Sequence, residues 1–444
     1  MDMPAPPPVM NLRKRLSADA LFALVRRRFQ EIPDPRQPNS VIPLADALMS
    51  AFAMFSLKDP SLLAFEERRS DANLKTLYGI GKIPSDTQMR EILDAVEPEH
   101  LRDAFSDVFR QLQRGKALEP FVFYQGHYLL SLDGSNYFSS PTVHCPSCLV
   151  TEHQNGTVTY RHQMLGAVLV HPDRREVIPL APEPIMKQDG ATKNDCERNA
   201  ARRFLRKTRQ EHPHLKLIVV EDGLASNGPH VRDLIDAHVH FILGVKPGDH
   251  PYLFEQVEAA RREGHSPKLV RKEGKNSCEV SWVWSVPLNG SNDDLRADFL
   301  EYQEYDEEGK CVKHFTWITD LPVNLRTAWW FARGGRARWR IENETFNTLK
   351  NQGYHYEHNY GHGERNLSVV FALLMILAFL VDQTQQLCCP LFRAVQEKLG
   401  SKRSLWDNLR SHFRHFRFSS MHQLYEVILD DRGKEVPLPA PDTS

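Results

Sequence analysis

The sequence predicts an α/β fold in which a mixed β-sheet carries a β-rich insertion and is bracketed by helical N- and C-terminal regions. Three observations lead there. Two apolar runs end in an acid followed by glycine: Tyr128-Leu129-Leu130-Ser131-Leu132-Asp133 before Gly134, and Leu217-Ile218-Val219-Val220-Glu221-Asp222 before Gly223. Short apolar runs closed by turn residues read as strands opening into loops. Further on, Arg338, Glu342, Phe346 and Leu349 recur at three- and four-residue steps, which places them on one face of a helix. Between these signals, from Pro247 to Pro322, the chain is polar and β-leaning.

Taken in order, residues 12 to 118 carry helical periodicity, as in Leu21, Leu24 and Val25 after Ser17 and in Leu101-Phe105-Val108-Phe109-Leu112. Pro60, Pro84 and Pro98 divide this region into short helices. Strands follow at Tyr128 to Asp133, Thr157 to Val170 and Glu176 to Leu180. A helix is then expected over Asp195 to Gln210, a strand over Leu217 to Glu221, a helix over Pro229 to Ala237 and a strand over Phe241 to Val245. In the insertion, Cys278 to Val286 and Lys313 to Ile318 are strand candidates around an acidic stretch, Glu301 to Glu308. Val369 to Val381 is an unbroken apolar run, too short to span a bilayer and better suited to a buried core helix.

Two strand-end carboxylates and one helix carboxylate make chemical sense if adjacent strands present Asp133 and Asp222 and the helix lays Glu342 across them. Such an oxygen cluster suits Mg²⁺ or Mn²⁺. Two ions about 4 Å apart would activate a water or 3′-hydroxyl and stabilise the leaving oxygen in an in-line attack on phosphorus. The competing reading is plain: the chain has 57 acidic residues, and an acid at a strand end is often a solvated turn residue.

At these residues the chain resembles the DDE transposases of bacterial insertion sequences, in particular the branch with a large β-rich insert before the catalytic Glu. The resemblance covers roughly residues 120 to 385 and is sharpest at Arg338-Trp339-Arg340-Ile341-Glu342, followed by Phe346, Leu349 and Lys350. It implies a ribonuclease-H-like core and catalytic, metal-binding roles for Asp133, Asp222 and Glu342. Arg338 and Lys350 would contact DNA phosphate. The family usually has Tyr seven residues before its Glu, where this chain has Gly335, and Lys seven after, where it has Leu349 with Lys350 next. Glu344 therefore stays open as the alternative acid.

The resemblance also implies a division into a helical DNA-binding region (1–118), a first part of the catalytic core (119–246), the insertion (247–322), the rest of the core with the Glu-bearing helix (323–385) and a helical basic region and tail (386–444). Double-stranded DNA, as transposon ends and target, would be the partner, held by a homodimer in a synaptic complex. Two function classes compete with the transposase: a metal-dependent DNA nuclease of similar core, and a domesticated DNA-binding protein without catalysis.

Composition sets outer bounds. With 444 residues, 41% hydrophobic and 25% charged, the chain has room for a large core and two to four modules. A formal net charge of −1 excludes a uniformly basic nucleic-acid binder, although basic residues cluster at Arg13-Lys14-Arg15, Arg26-Arg27-Arg28 and through Phe392 to Arg417. Met1 to Met10 is Pro-rich and lacks the plan of a secretion signal, so a cytoplasmic protein with no membrane partner is expected. Asp430 to Ser444 reads as a frayed acidic tail.

The seven cysteines add a separate signal. Cys145-Pro146-Ser147-Cys148, with His144, His153 and His162 close by, has the spacing of half a zinc knuckle. Cys145 and Cys148 with His144 and His153 are the first candidates as ligands, the partners staying open among the nearby His residues and Cys196, against the commoner case of free or buried thiols.

Overall fold

The computed structural model describes residues 14–187 and 194–430. The expectations at Met1 to Met10, at Arg13 and at 431–444 of the tail lie outside the described residues. In chain order, helices α1 (Ala18–Gln30), α2 (Leu44–Leu57), α3 (Leu62–Glu66), α4 (Ala72–Tyr78), α5 (Asp86–Asp94) and α6 (Arg102–Arg114) come first. Strands β1 (Val122–Tyr124), β2 (His127–Ser140), β3 (Leu149–Glu152), β4 (Val158–Val170), β5 (Ile178–Pro179) and β6 (Glu183–Ile185) lead to α7 (Glu197–Glu211). Then follow β7 (Leu217–Glu221), α8 (Gly228–Asp236), β8 (His240–Gly244), α9 (Pro251–Arg262), β9 (Lys268–Glu273), β10 (Asn276–Asn289), β11 (Asn292–Tyr305) and β12 (Cys311–Thr319). After α10 (Ala328–Arg336) the chain makes a π-helical turn, Ile341–Phe346, and ends in α11 (Asn347–Asn351), α12 (Leu367–Cys388), α13 (Pro390–Leu399), α14 (Lys402–His415) and α15 (Met421–Leu429). The architecture is α/β: a large mixed sheet with helical N- and C-terminal regions, as a ribonuclease-H-like core with an insertion requires.

The chain divides into two units, both assembled from discontinuous segments. The second comprises residues 120–135 and 163–346. Its sheet sets β2, β7 and β8 side by side in parallel, a direction that the crossover helices α7 and α8 permit. All five residues of β7 are buried, the composition of a central strand covered on both faces. Antiparallel β12 extends the sheet from β8, and β11, β10 and β9 continue it. The insertion is therefore a meander added to the edge of the core sheet. Its middle strand, β11, runs through most of the expected acidic stretch: Glu301 and Glu304 are buried there with partners, Arg261 and the His314 imidazole for the first and Lys313 for the second, so composition alone disguised a strand. Helix α9, which packs on β10, was not foreseen.

The first unit comprises 1–119, 136–162 and 347–444. Its centre is α12, a helix of 22 residues that is longer than the apolar run at its core. It is long and apolar enough to cross a membrane by length and composition, yet its apolar window is wholly buried, against α2, α5 and α6 among others. Its first turn is held by Asp94 at the end of α5, whose carboxylate accepts the amides of Glu364, Arg365, Asn366 and Leu367 at 2.9–3.0 Å. The Leu367 amide is one of the helix-start donors that lack an intrahelical acceptor, and the other three belong to the N-cap Asn366 and the turn that leads into it. Lys58, in a left-handed conformation after α2, is fully buried, paired with Asp382 of α12 and 4.0 Å from the Trp406 ring centre.

Several basic residues suited to phosphate by sequence are committed inside this unit. Arg26 pairs with Asp46, Arg28 with Asp107, and Arg410 donates to the carbonyls of Leu57 and Lys58. The basic clusters at Arg26-Arg27-Arg28 and Phe392 to Arg417 thus have members whose partners are internal to the unit.

Candidate functional site

The register of β2 against β7 positions the two aspartates. Leu129 pairs with Ile218, Leu130 with Val219 and Ser131 with Val220, so two residues beyond the last pair on each strand lie Asp133 and Asp222. In neighbouring parallel strands, residues at one level point to one face, and residues two apart share it. Asp133 therefore shares the face of Ser131, whose hydroxyl donates to the Arg338 carbonyl at 3.2 Å. That bond anchors the segment bearing Glu342 over the same face.

Glycines let this segment come close. A Cβ on Gly166 of β4 would lie 2.7 Å from Phe346, and one on Gly335 would lie 2.5 Å from the Trp317 indole. The position where the family usually carries Tyr thus has no room for a side chain. The expected single helix face is also modified: α10 stops at Arg336, and Glu342 sits in the π-helical turn. Such wide turns cost backbone hydrogen-bond geometry and concentrate at functional sites.

Arg338 links the acids. Its Nη1 lies 3.0 Å from Glu342 Oε1 and 3.7 Å from Asp133 Oδ2. Glu344 points elsewhere and pairs with Arg340 at 3.2 Å, while Arg340 also donates to the Pro172 carbonyl. Asp222 is exposed at its turn, where Oδ1 accepts the Leu224 amide at 3.0 Å, and Ser226 donates to the Gly244 carbonyl to hold the loop. Asp222 and Arg338 line one cleft of about 440 Å³ with Lys246, His314, Trp317 and Trp339.

Electrostatics marks Asp133 as the strained member. Burial, opposed by Arg338 and reinforced by Glu342, Glu197 and Asp222, pushes its carboxyl up to about 7. Glu197, in the first turn of α7, is an acid the sequence reading did not single out. Its carboxylate presses on the backbone at Gly134, where an added Cβ would fall 2.2 Å away, and burial with Asp222 raises its pKa. The available signal was an acid beginning a helix just before the second strand-end Asp, which by itself resembles ordinary dipole compensation.

The donor set here is oxygen only, which fits a hard divalent cation. A carboxyl held near neutrality by burial and like charges gains its anionic form most readily beside a cation. The carboxylates of Asp133, Asp222 and Glu342 are not drawn within 4.8 Å of one another; among the described residues, the group that does close to that distance is Cys145, Cys148, His162 and His362.

That second cluster corrects the expected ligand set. His144 stacks on Tyr160 with ring centres 4.4 Å apart, and His153 bonds Thr159 at 2.8 Å, so neither joins the cysteines. Lys350 belongs to the first unit, where its ammonium pairs with Glu357 at 2.7 Å. Among the aromatic residues of the second unit, Trp282 and Trp329 are buried, the half-exposed Trp284 donates to the Val323 carbonyl and Trp330 donates to that of Phe123.

Comparison with protein families matches the transposase DDE domain over residues 150–380, just over half of the chain. The chain belongs to the DDE transposase family. The matched span includes Asp222 and Glu342 and begins after Asp133, which the strand register alone brings level with Asp222. No curated protein matches the chain closely enough to count as a relative.

Proposed function

We propose that this family member is an active DNA transposase of the branch with a β-rich insert, and that Asp133, Asp222 and Glu342 carry its chemistry. The observation that carries the reading is the level placement of Asp133 and Asp222 on adjacent parallel strands, with Arg338 between Asp133 and Glu342. Mg²⁺ or Mn²⁺, two per site, held by the three acids would supply an activated oxygen nucleophile and charge stabilisation at phosphorus.

The protein's own residues do the rest. Arg338 has five N–H donors and spends only part of them on the acids, so it also offers a phosphate clamp. Glu197 adds negative charge behind Asp133 and Asp222 and favours the ion-bound form of the cluster. Lys246 and His314 line the same cleft, and the exposed Trp339 indole provides an apolar wall. A second cleft, of about 330 Å³, continues past Arg333, Arg336 and Arg340 and suits a DNA backbone. Lys350 is assigned a phosphate contact on the family pattern.

Excision and joining require two element ends and one target, for which a homodimer with two-fold symmetry is the simplest closed assembly. The reaction begins with attack by water, giving a nick with a free 3′-hydroxyl; that hydroxyl attacks the opposite strand and displaces the flanking 3′-oxygen, a second water reopens the joined strands to restore the 3′-hydroxyl, and this attacks a target phosphate and displaces the target's 3′-oxygen. Incubating the full chain with strand-labelled element ends, target DNA and Mg²⁺ tests this. Joined end-to-target strands are expected; cut ends that never join would assign a nuclease, and bound but uncut DNA a non-catalytic binder.

A further inference from the structure

The first unit buries Cys145, Cys148, His162 and His362 with their Sγ and Nε2 atoms turned toward one centre. The sulfurs are 3.8 Å apart, His162 Nε2 lies 3.5 and 3.4 Å from them, and His362 Nε2 is 3.5 Å from Cys148 Sγ. Zinc bonded at about 2.3 Å to sulfur and about 2.0–2.1 Å to nitrogen would set tetrahedral corners roughly 3.3–3.8 Å apart. Those four separations already match it, and all four atoms lie within 4.8 Å of one another. The distance between the sulfurs is far too wide for a disulfide, whose sulfurs sit about 2.05 Å apart.

The Nδ1 atoms of both His162 and His362 are buried without a hydrogen-bond partner among the described residues. The hydrogen-bond-range contacts of both rings run instead from Nε2 to cysteine sulfur, a weak acceptor and donor. Two imidazoles and two thiols facing one another in the interior are costly unless a cation takes their lone pairs.

We infer that Cys145, Cys148, His162 and His362 form a closed, structural zinc site. The mixed sulfur and nitrogen donors select zinc over the hard cations suited to the carboxylates, and four protein ligands leave no open position for catalysis. The ion ties together three distant segments: the Cys145–Cys148 turn, strand β4 at His162, and the loop between α11 and α12 at His362. Cys148 and His362 are 214 residues apart, so the closed loop is long and the gain in order correspondingly large. Tyr137 stacks on the His162 ring at 5.9 Å and Phe138 lies 4.4 Å from that of His362, which shields the centre from water. The site stands independently of any action on DNA.

The test uses the full chain, purified without chelator from zinc-supplemented cells. One zinc per chain is expected by atomic emission, and cobalt exchange should give tetrahedral ligand-field bands with sulfur-to-metal charge transfer. His362→Ala should lose the metal and melt at lower temperature, while His144→Ala and His153→Ala keep it. Because the alanine variant could unfold, His362→Cys is the safeguard: it should retain the metal and shift the cobalt spectrum toward three sulfur ligands. Folded, metal-free protein, or loss of metal in His153→Ala with retention in His362→Ala, would overturn the assignment.

Discussion

Asp133 and Asp222 each lie two residues past the register partners Ser131 and Val220 of the adjacent parallel strands β2 and β7, which brings them to the same level. Strand register, rather than sequence spacing, is what brings two carboxylates 89 residues apart to one sheet edge.

The first prediction separates the two candidate glutamates. Glu342→Gln should slow strand cleavage by on the order of 10³-fold or more, since an amide cannot replace an anionic metal ligand worth several kcal/mol. Glu344→Gln, which breaks only the pair with Arg340, should cut within about tenfold of wild type. Single-turnover rates on end DNA check this; the reverse order would transfer the role to Glu344.

Arg338→Ala should weaken cleavage roughly equally across flanking sequences, because its contact is with phosphate and the acids. Arg338→Lys should recover only part of the loss, as an ammonium lacks the further guanidinium N–H donors that can clamp phosphate while Nη1 faces Asp133 and Glu342. Rates on a panel of end sequences decide the matter, and base-dependent losses would make Arg338 a reader instead.

Gly335→Ala tests the close approach of α10 to β12. A helix ordinarily gains about 1 kcal/mol from this change. Here the new methyl would lie 2.5 Å from Trp317, and overpacking of about 1–3 kcal/mol should win. Denaturant melts should therefore show net destabilisation.

Asp94 should govern part of the acid limb of stability. Burial raises its pKa, but the four amides of Glu364 to Leu367 outweigh it and hold the carboxyl below its ordinary value. A depressed folded pKa means the stabilisation is present above the unfolded value, near 3.8, and is lost as pH falls through the folded one. Asp94→Asn should cost about 1–2 kcal/mol at neutral pH and flatten the melting curve below about pH 4. Equal acid sensitivity of both proteins would remove Asp94 from this role.

Lys58 and Asp382 form a buried pair whose halves depend on each other. Lys58→Met should destabilise by about 3–5 kcal/mol by stranding a buried carboxylate, and Lys58→Met with Asp382→Leu should recover much of it. Additive losses in the double variant would contradict the pairing.

Strand β7, which stops just before Asp222, was legible because an apolar run ending in Asp-Gly is locally encoded; the same signal misled at Asp133, where β2 does not end as expected but continues through Gly134 to Ser140. Strand β7 matches its expected span, Leu217 to Glu221, residue for residue. Strand β11 was hidden because its acids find partners only after the meander forms. The π-helical turn at Glu342 escaped notice since a 3.6-residue period and a widened turn share the Arg338 to Glu342 step. His362 could not be paired with Cys148 by any local spacing, and Glu197 looked like one first-turn acid among many.

The central claim, that Asp133, Asp222 and Glu342 share a divalent ion, is tested most directly by replacing Mg²⁺ with Fe²⁺ in the DNA-bound full chain and generating hydroxyl radicals at the metal. Backbone scission is expected near residues 133, 222 and 342, and should disappear in Asp133→Asn. Scission confined to the Cys145–Cys148 region, or an unchanged pattern in Asp133→Asn, would contradict it.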